Sequence, residues 1–207
     1  MINRLFIFSI YLLLTSGCSR SIREIDSNLE IDDFSMTHFK NNGNKIYAIT
    51  SPKSTFIKDV QIYKLDKTEI FFFEKNKVNY IINSKKSSLL NNNNDIKLDG
   101  DVKLYDLNNK DNTITANKAF WNINKFEFVL VGDVIFNNKS VNLISSKAVL
   151  NKNVNLIKFF KPVKYRYLNN TSTLNYKVKA DNAYYDLENK TLRFESKNER
   201  IKSKLNF

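Results

Sequence analysis

Few residues in this chain can do chemistry. His38 is its one histidine and Cys18 its one cysteine. With them there is no Cys/His spacing for a metal, no glycine-rich phosphate loop and no convincing Ser-His-Asp set. Asp101 and Asp133 each follow a glycine, Gly100 and Gly132, and invite comparison with the paired carboxylates of acid–base catalysis. Their place in a two-residue alternation turns them away from the apolar side, which makes them solvated bulge residues. Tyr165, Tyr167, Tyr176, Tyr184 and Tyr185 beside Lys177 and Lys179 could stack on bases. The sequence therefore predicts no catalytic residue, no metal and no cofactor, and any working surface has to be sought among apolar side chains.

Those apolar residues recur. Ile114, Ala116, Ala119 and Trp121 stand at i, i+2, i+5 and i+7, with small residues in the two middle places. Ile82, Ser84, Ser87 and Leu89 repeat this spacing before it, Leu143, Ser145, Ala148, Leu150 and Val178, Ala180, Ala183, Tyr185 after it, and Ile49, Ser51, Ser54, Phe56 form a worn first copy. Gly132 stands eighteen places after Ile114 and Gly100 eighteen after Ile82; Lys161 and Ser196 hold that place in the later copies. Self-similarity at about thirty residues marks a repeat architecture whose units cannot bury an apolar face alone.

Within each unit the period is two. In DIKLDGDVKLYDL, Ile96, Leu98, Gly100, Val102 and Leu104 share one face and the charged residues the other, as in a half-buried strand. Two same-face residues three apart break that alternation, so a bulge or tight turn is predicted at Asn117-Lys118, Ser146-Lys147 and Asp181-Asn182. The Asn-rich stretches NNNN, NINK, NKNV and ENK, at Asn91, Asn122, Asn151 and Asn189, read as hairpin turns, because Asn tolerates left-handed backbone. Lys161-Pro162 suggests a looser, edge-like pairing. No segment carries a sustained helical period, and the fold class is all-β, built of repeated antiparallel strand pairs.

At 207 residues the chain suits one domain with a substantial core plus terminal segments. Few glycines and prolines, with 13% aromatic residues, argue against disorder. The formal net charge of +12 favours polyanions, so nucleic acid, an anionic membrane surface and a phosphorylated glycolipid all come into question. Residues 1–17 resemble a lipoprotein signal peptide: Arg4, a ten-residue apolar run from Leu5 to Leu14, small residues, then Cys18 as the lipid-modified first mature residue. Leucine stands four places before the cysteine rather than the usual three, and an ordinary signal with an incidental cysteine is the alternative. Ten residues of helix rise about 15 Å, half a bilayer core. Export removes nucleic acid as a partner and leaves lipid phosphate or acidic sugar. Residues 18–44 read as a polar tether, and residues 45–207 as the folded domain.

The segments SPKS at Ser51, LDGDVKL around Gly100, ITANKAFW, LVGDV around Gly132, SSKAVL and VKADNAYYDLENKTL resemble the OstA-like bridge proteins of lipopolysaccharide transport, of LptC type in their exported and anchored amino terminus. The resemblance covers roughly Lys45 to Ser196. It implies an open β-jellyroll, or β-taco, whose two splayed walls enclose an apolar groove for acyl chains. The implied cargo is lipopolysaccharide or a related glycolipid. The implied partners are an inner-membrane ABC transporter of Lpt type and other OstA-like proteins joined through sheet edges. The expected place is the periplasm, anchored to a membrane through the Cys18 lipid, with the inner membrane favoured. Groove lining is expected from Ile96, Leu98, Val102, Ile114 and Trp121 in the first part of the body. Phe126, Phe128, Leu130, Val134, Phe136 and Leu143 continue it, then Ile157, Phe159, Val163, Leu192 and Phe194. A structural or adhesive envelope lipoprotein, a β-solenoid with a closed core, fits the same apolar strands; an enzyme acting on envelope glycans comes third, weakened by the missing acid–base candidates.

Overall fold

The computed structural model describes residues 28–90, 92–108, 111–139, 141–151, 154–167, 177–197 and 204–206. Twelve strands run through them: β1 (Asn28–Phe39), β2 (Lys45–Ile57), β3 (Ile62–Glu74), β4 (Lys77–Leu90), β5 (Asp95–Asp106), β6 (Thr113–Asn122), β7 (Glu127–Asn137), β8 (Val141–Asn151), β9 (Leu156–Tyr167), β10 (Lys177–Asp186), β11 (Thr191–Glu195) and β12 (Lys204–Asn206). Each pairs antiparallel with the next, so one sheet follows the order of the chain. The turns explain why. Asn92, Asn93 and Asn155 hold φ near 53°, 66° and 49°, the left-handed backbone that a tight reversal needs. Phe126 and Lys190 take that conformation in two further turns.

Midway along each of β2 to β10 the sheet bends. In β6, Ile114 and Ala116 are buried, Asn117 and Lys118 exposed, and Ala119 and Trp121 buried again. The pairing register skips at the same level, between Asp99 and Val102, Thr115 and Lys118, Val131 and Val134, and Ile144 and Lys147. Aligned from strand to strand, these skips make a corner that folds the sheet over itself. Wall A holds the first halves of the even strands and the second halves of the odd ones; wall B holds the remaining halves. The hairpin turns form the two lips opposite the corner.

Local chemistry fixes the bend. Where the first small place is serine, its hydroxyl donates to the carbonyl two residues on: Ser51 to Lys53 at 2.6 Å, Ser84 to Lys86 at 3.1 Å, and Ser145 to Lys147 at 2.9 Å. The Ser51 hydroxyl also lies 2.6 Å from the Asp66 carbonyl of the next strand. On β5 and β7 the bend carries a glycine, whereas β3 bends with Lys67 at φ 50° and β9 holds Lys161 at that place. Gly132 has φ +78°, and a Cβ there would lie 2.8 Å from the Asn117 side chain on β6. Asp133 and Asp101, next to the two corner glycines, also have positive φ, 45° and 49°.

Three expectations change. Residues 28–39 of the presumed tether are β1, paired with β2 along its length, so among the described residues the sheet begins at Asn28 rather than Lys45. As the outer strand, β1 packs mainly Phe34 and Met36 against the core, too few apolar residues to show a period. Strand β9, with Lys161-Pro162, is not edge-like, since it pairs with both β8 and β10. Its proline falls within the register skip, where a missing N–H removes no ladder bond. Phe126, expected among the lining residues, is a turn residue at φ 51° and 38% exposed. Alternation counted back from Phe128 overran the start of β7 at Glu127. Cys18 and residues 1–17 lie outside the described residues.

Candidate functional site

The corner puts two apolar faces opposite each other. Wall A contributes Val102, Ile114, Val134, Phe136, Leu143 and Val163; wall B contributes Ile96, Leu98, Trp121, Phe128, Leu130, Ile157, Phe159, Leu192 and Phe194. None is more than 3% exposed. Fifteen of the sixteen predicted lining residues thus share one interior, Phe126 being the exception. The same interior takes Ile49, Ile82 and Leu104, which the repeat placed on the apolar face without naming them as lining, and Tyr47, Ile70 and Phe72, which the sequence did not single out. Their signal was weak because the first copy is worn and the run Phe71-Phe72-Phe73 in β3 hides its phase. Tyr165 and Tyr185, weighed as base-stacking residues, are buried inside at 3% and 1%.

Small residues occupy the corner, and rings meet from the two walls farther out. Tyr47 and Phe72 of wall A reach Trp121 of wall B with ring centroids 4.9 and 4.8 Å apart, edge to face, and Phe72 also meets Phe128 at 5.5 Å. Phe136 meets Phe159 at 6.0 Å and Tyr185 at 4.8 Å, and Tyr165 meets Phe194 at 5.2 Å. The described residues thus form the all-β, single-sheet jellyroll that the resemblance implies, and at these rings its two walls touch. A void of about 10 Å³ remains between Tyr80, Leu104, Ile114, Phe136, Leu150 and Ile157, room for roughly one water. An open cleft of about 390 Å³ lies instead on the outer side of wall B, among Lys64, Asp66, Lys86, Lys97 and Asp99. Its interleaved charges would not receive a hydrocarbon chain.

Polar groups inside are few. Thr68 and Ser87 share a 2.6 Å hydrogen bond. Burial raises the Tyr185 hydroxyl pKa, a rise that a hydrogen bond with Asn138 partly offsets, and burial raises Tyr47 as well. Tyr80 is pushed up to about 12, first by burial and then by the charges of Asp106 and Glu74. The indole Nε1 of Trp121 is buried without a hydrogen-bond partner among the described residues.

The residues first weighed for chemistry lie elsewhere. Asp101 is exposed and pairs with Lys85 at 2.7 Å, which lowers the Asp101 carboxyl pKa and raises that of the Lys85 ammonium. Asp133 accepts a hydrogen bond from Asn117 at 3.1 Å on the outer corner. His38 is exposed on β1, stacked on Tyr47 at 5.2 Å. Among the described residues no group of three His, Cys, Asp or Glu side chains is placed to hold a metal ion.

The model of a protein family described as lipopolysaccharide-assembly, LptC-related, matches residues 4–129, from the amino-terminal apolar run into β7. Comparison with curated proteins found no match.

Proposed function

Because the chain belongs to the LptC-related family of lipopolysaccharide-assembly proteins, we propose that it is a link in the lipopolysaccharide-transport bridge, taking acyl chains between its two walls. One observation carries this reading: a single apolar face runs unbroken through the strands and is enclosed by a sheet folded over itself. Exposing one acyl chain to water costs on the order of 10 kcal/mol, at about 0.8 kcal/mol per CH₂. An apolar interior removes that barrier without covalent chemistry. Lysines along the lips would meet head-group phosphate. The direction of travel comes from ATP hydrolysis by an inner-membrane ABC transporter.

Partners would join at the sheet edges. The outer side of β1 offers twelve residues of strand, and strand addition there would extend the interior from one protein into the next. Cys18, as a lipidated first residue, would hold the domain to the periplasmic side of the membrane, the inner one favoured. Cys18→Ser is expected to shift the protein from the membrane fraction to the soluble fraction.

The alternative is a structural envelope lipoprotein with a permanently closed core, favoured by the contact between the walls. A photo-crosslinking residue in place of Phe128, inside, and of Phe120, outside and 44% exposed, separates the two in intact cells. The transport reading predicts a glycolipid adduct from position 128 and none from 120. A folded protein that yields no lipid adduct from 128 supports the closed core.

A further inference from the structure

The indole N–H of Trp121 lacks the hydrogen-bond partner that most polar groups of the interior have. The Ser51, Ser84 and Ser145 hydroxyls reach carbonyls, Thr68 meets Ser87, and Tyr185 is bonded with Asn138. Trp121 Nε1 is buried with no such partner, in a residue 1% exposed. Its surroundings are rings: Phe128 stacked on it at 5.1 Å, and Tyr47 and Phe72 edge-on from the opposite wall. Buried donors are almost always paired, so an orphan at this point calls for an explanation. Packing alone does not require the donor, because Phe128, its register partner on β7, fills the adjacent place with a plain hydrocarbon ring.

The orphan also stands where the two walls touch. A ligand that parts Tyr47 and Phe72 from Trp121 and Phe128 replaces ring contacts with its own hydrocarbon. If its chains are joined to a head group through esters or amides, or carry hydroxyls, it also brings acceptor oxygens to a seam that has a free donor. We infer that Trp121 is the polar contact of the lipid path, its indole N–H donating to a carbonyl or hydroxyl oxygen of an acyl chain when the walls part. This rests on the transport reading and adds the atom that recognises an acyl chain rather than a bare alkyl one. Burying the donor unpaired in the empty state makes binding more favourable, since the ligand satisfies it.

Trp121 is the only tryptophan of the chain, so its indole gives a single N–H resonance. In the full chain titrated with purified lipopolysaccharide, that resonance is expected to move downfield, as for a newly formed hydrogen bond. Trp121→Phe keeps a ring and removes the donor; the smaller ring lowers the unfolding midpoint, and the folded variant is expected to bind lipopolysaccharide about five- to tenfold more weakly. Wild type that binds lipopolysaccharide with no movement of the resonance overturns the assignment, and needs no variant. Equal affinity of the folded variant and wild type overturns it too, and leaves the transport reading standing. Wild type that binds no lipopolysaccharide sinks both.

Discussion

At the corner the inward residues are Ser51, Ser54, Ser84, Ser87, Ala116, Ala119, Ser145 and Ala148; a few places along the same strands, toward the lips, they are Tyr47, Leu89, Trp121 and Leu150. Hydroxyl-to-carbonyl bonds, glycine backbone and a close fit between neighbouring strands hold the first region. The second is closed largely by rings meeting across a seam. Directional bonds fix a hinge, whereas ring contacts can be exchanged for other hydrocarbon. The three cross-wall ring contacts around Trp121 and Phe128 are worth about 1.5–4.5 kcal/mol beyond their area, at about 0.5–1.5 each. An acyl chain entering there gains on the order of 10 kcal/mol relative to water. On the reading proposed above, an entering chain's own hydrocarbon would offset the ring contacts it parts.

Substitutions can break that contrast. The largest loss is expected at the mouth: Phe136→Ala removes a buried ring that meets Phe159 and Tyr185 and should destabilise by about 3–5 kcal/mol in urea unfolding. Next comes Gly132→Ala at the corner, where φ is +78° and Asn117 occupies the space of the new methyl. A loss of about 1–3 kcal/mol is expected from left-handed backbone and displacement together. Ser51→Ala leaves carbonyls without their hydroxyl and should cost about 1 kcal/mol by the same assay.

Raising the pH tests the mouth more gently. Tyr80 ionises near pH 10 when unfolded and about 12 when folded, so its contribution is complete below pH 10 and is lost as pH climbs toward 12. The unfolding midpoint should fall over that window, and the change in tyrosine absorbance on ionisation should lag behind that of free tyrosine. The smallest effect is expected from Lys85→Ala on the outer corner: its ion pair with Asp101 is fully exposed, and no change in midpoint beyond error should appear.

Much of the hinge was legible in the sequence. The spacing i, i+2, i+5, i+7 fixes where alternation breaks, and small residues mark the break because facing chains converge there. Gly100 and Gly132 were legible as points of bend or close approach, although the neighbour, Asn117 for Gly132, was not. Strand β1 escaped notice because a strand paired on one side packs few apolar residues. Phe126 was misplaced because period two says nothing about where a strand starts, and a turn residue can extend the pattern by one step. The closed mouth lay beyond sequence reasoning for a different reason. Alternation tells which face a side chain joins but not how far that face stands from the opposite one, so Tyr47 meeting Trp121 across more than seventy intervening residues left no local trace.

The central claim is that the walls part to admit lipid, and lip-to-lip distance measures it directly. Spin labels at Lys75, in the turn between β3 and β4 on the wall A lip, and at Lys125, in the turn between β6 and β7 on the wall B lip, straddle the Phe72–Trp121 contact. Saturating lipopolysaccharide should give a longer and broader distance distribution than the empty protein. An unchanged distribution in a protein that has demonstrably bound lipopolysaccharide would contradict the account and place the lipid outside a core that never opens.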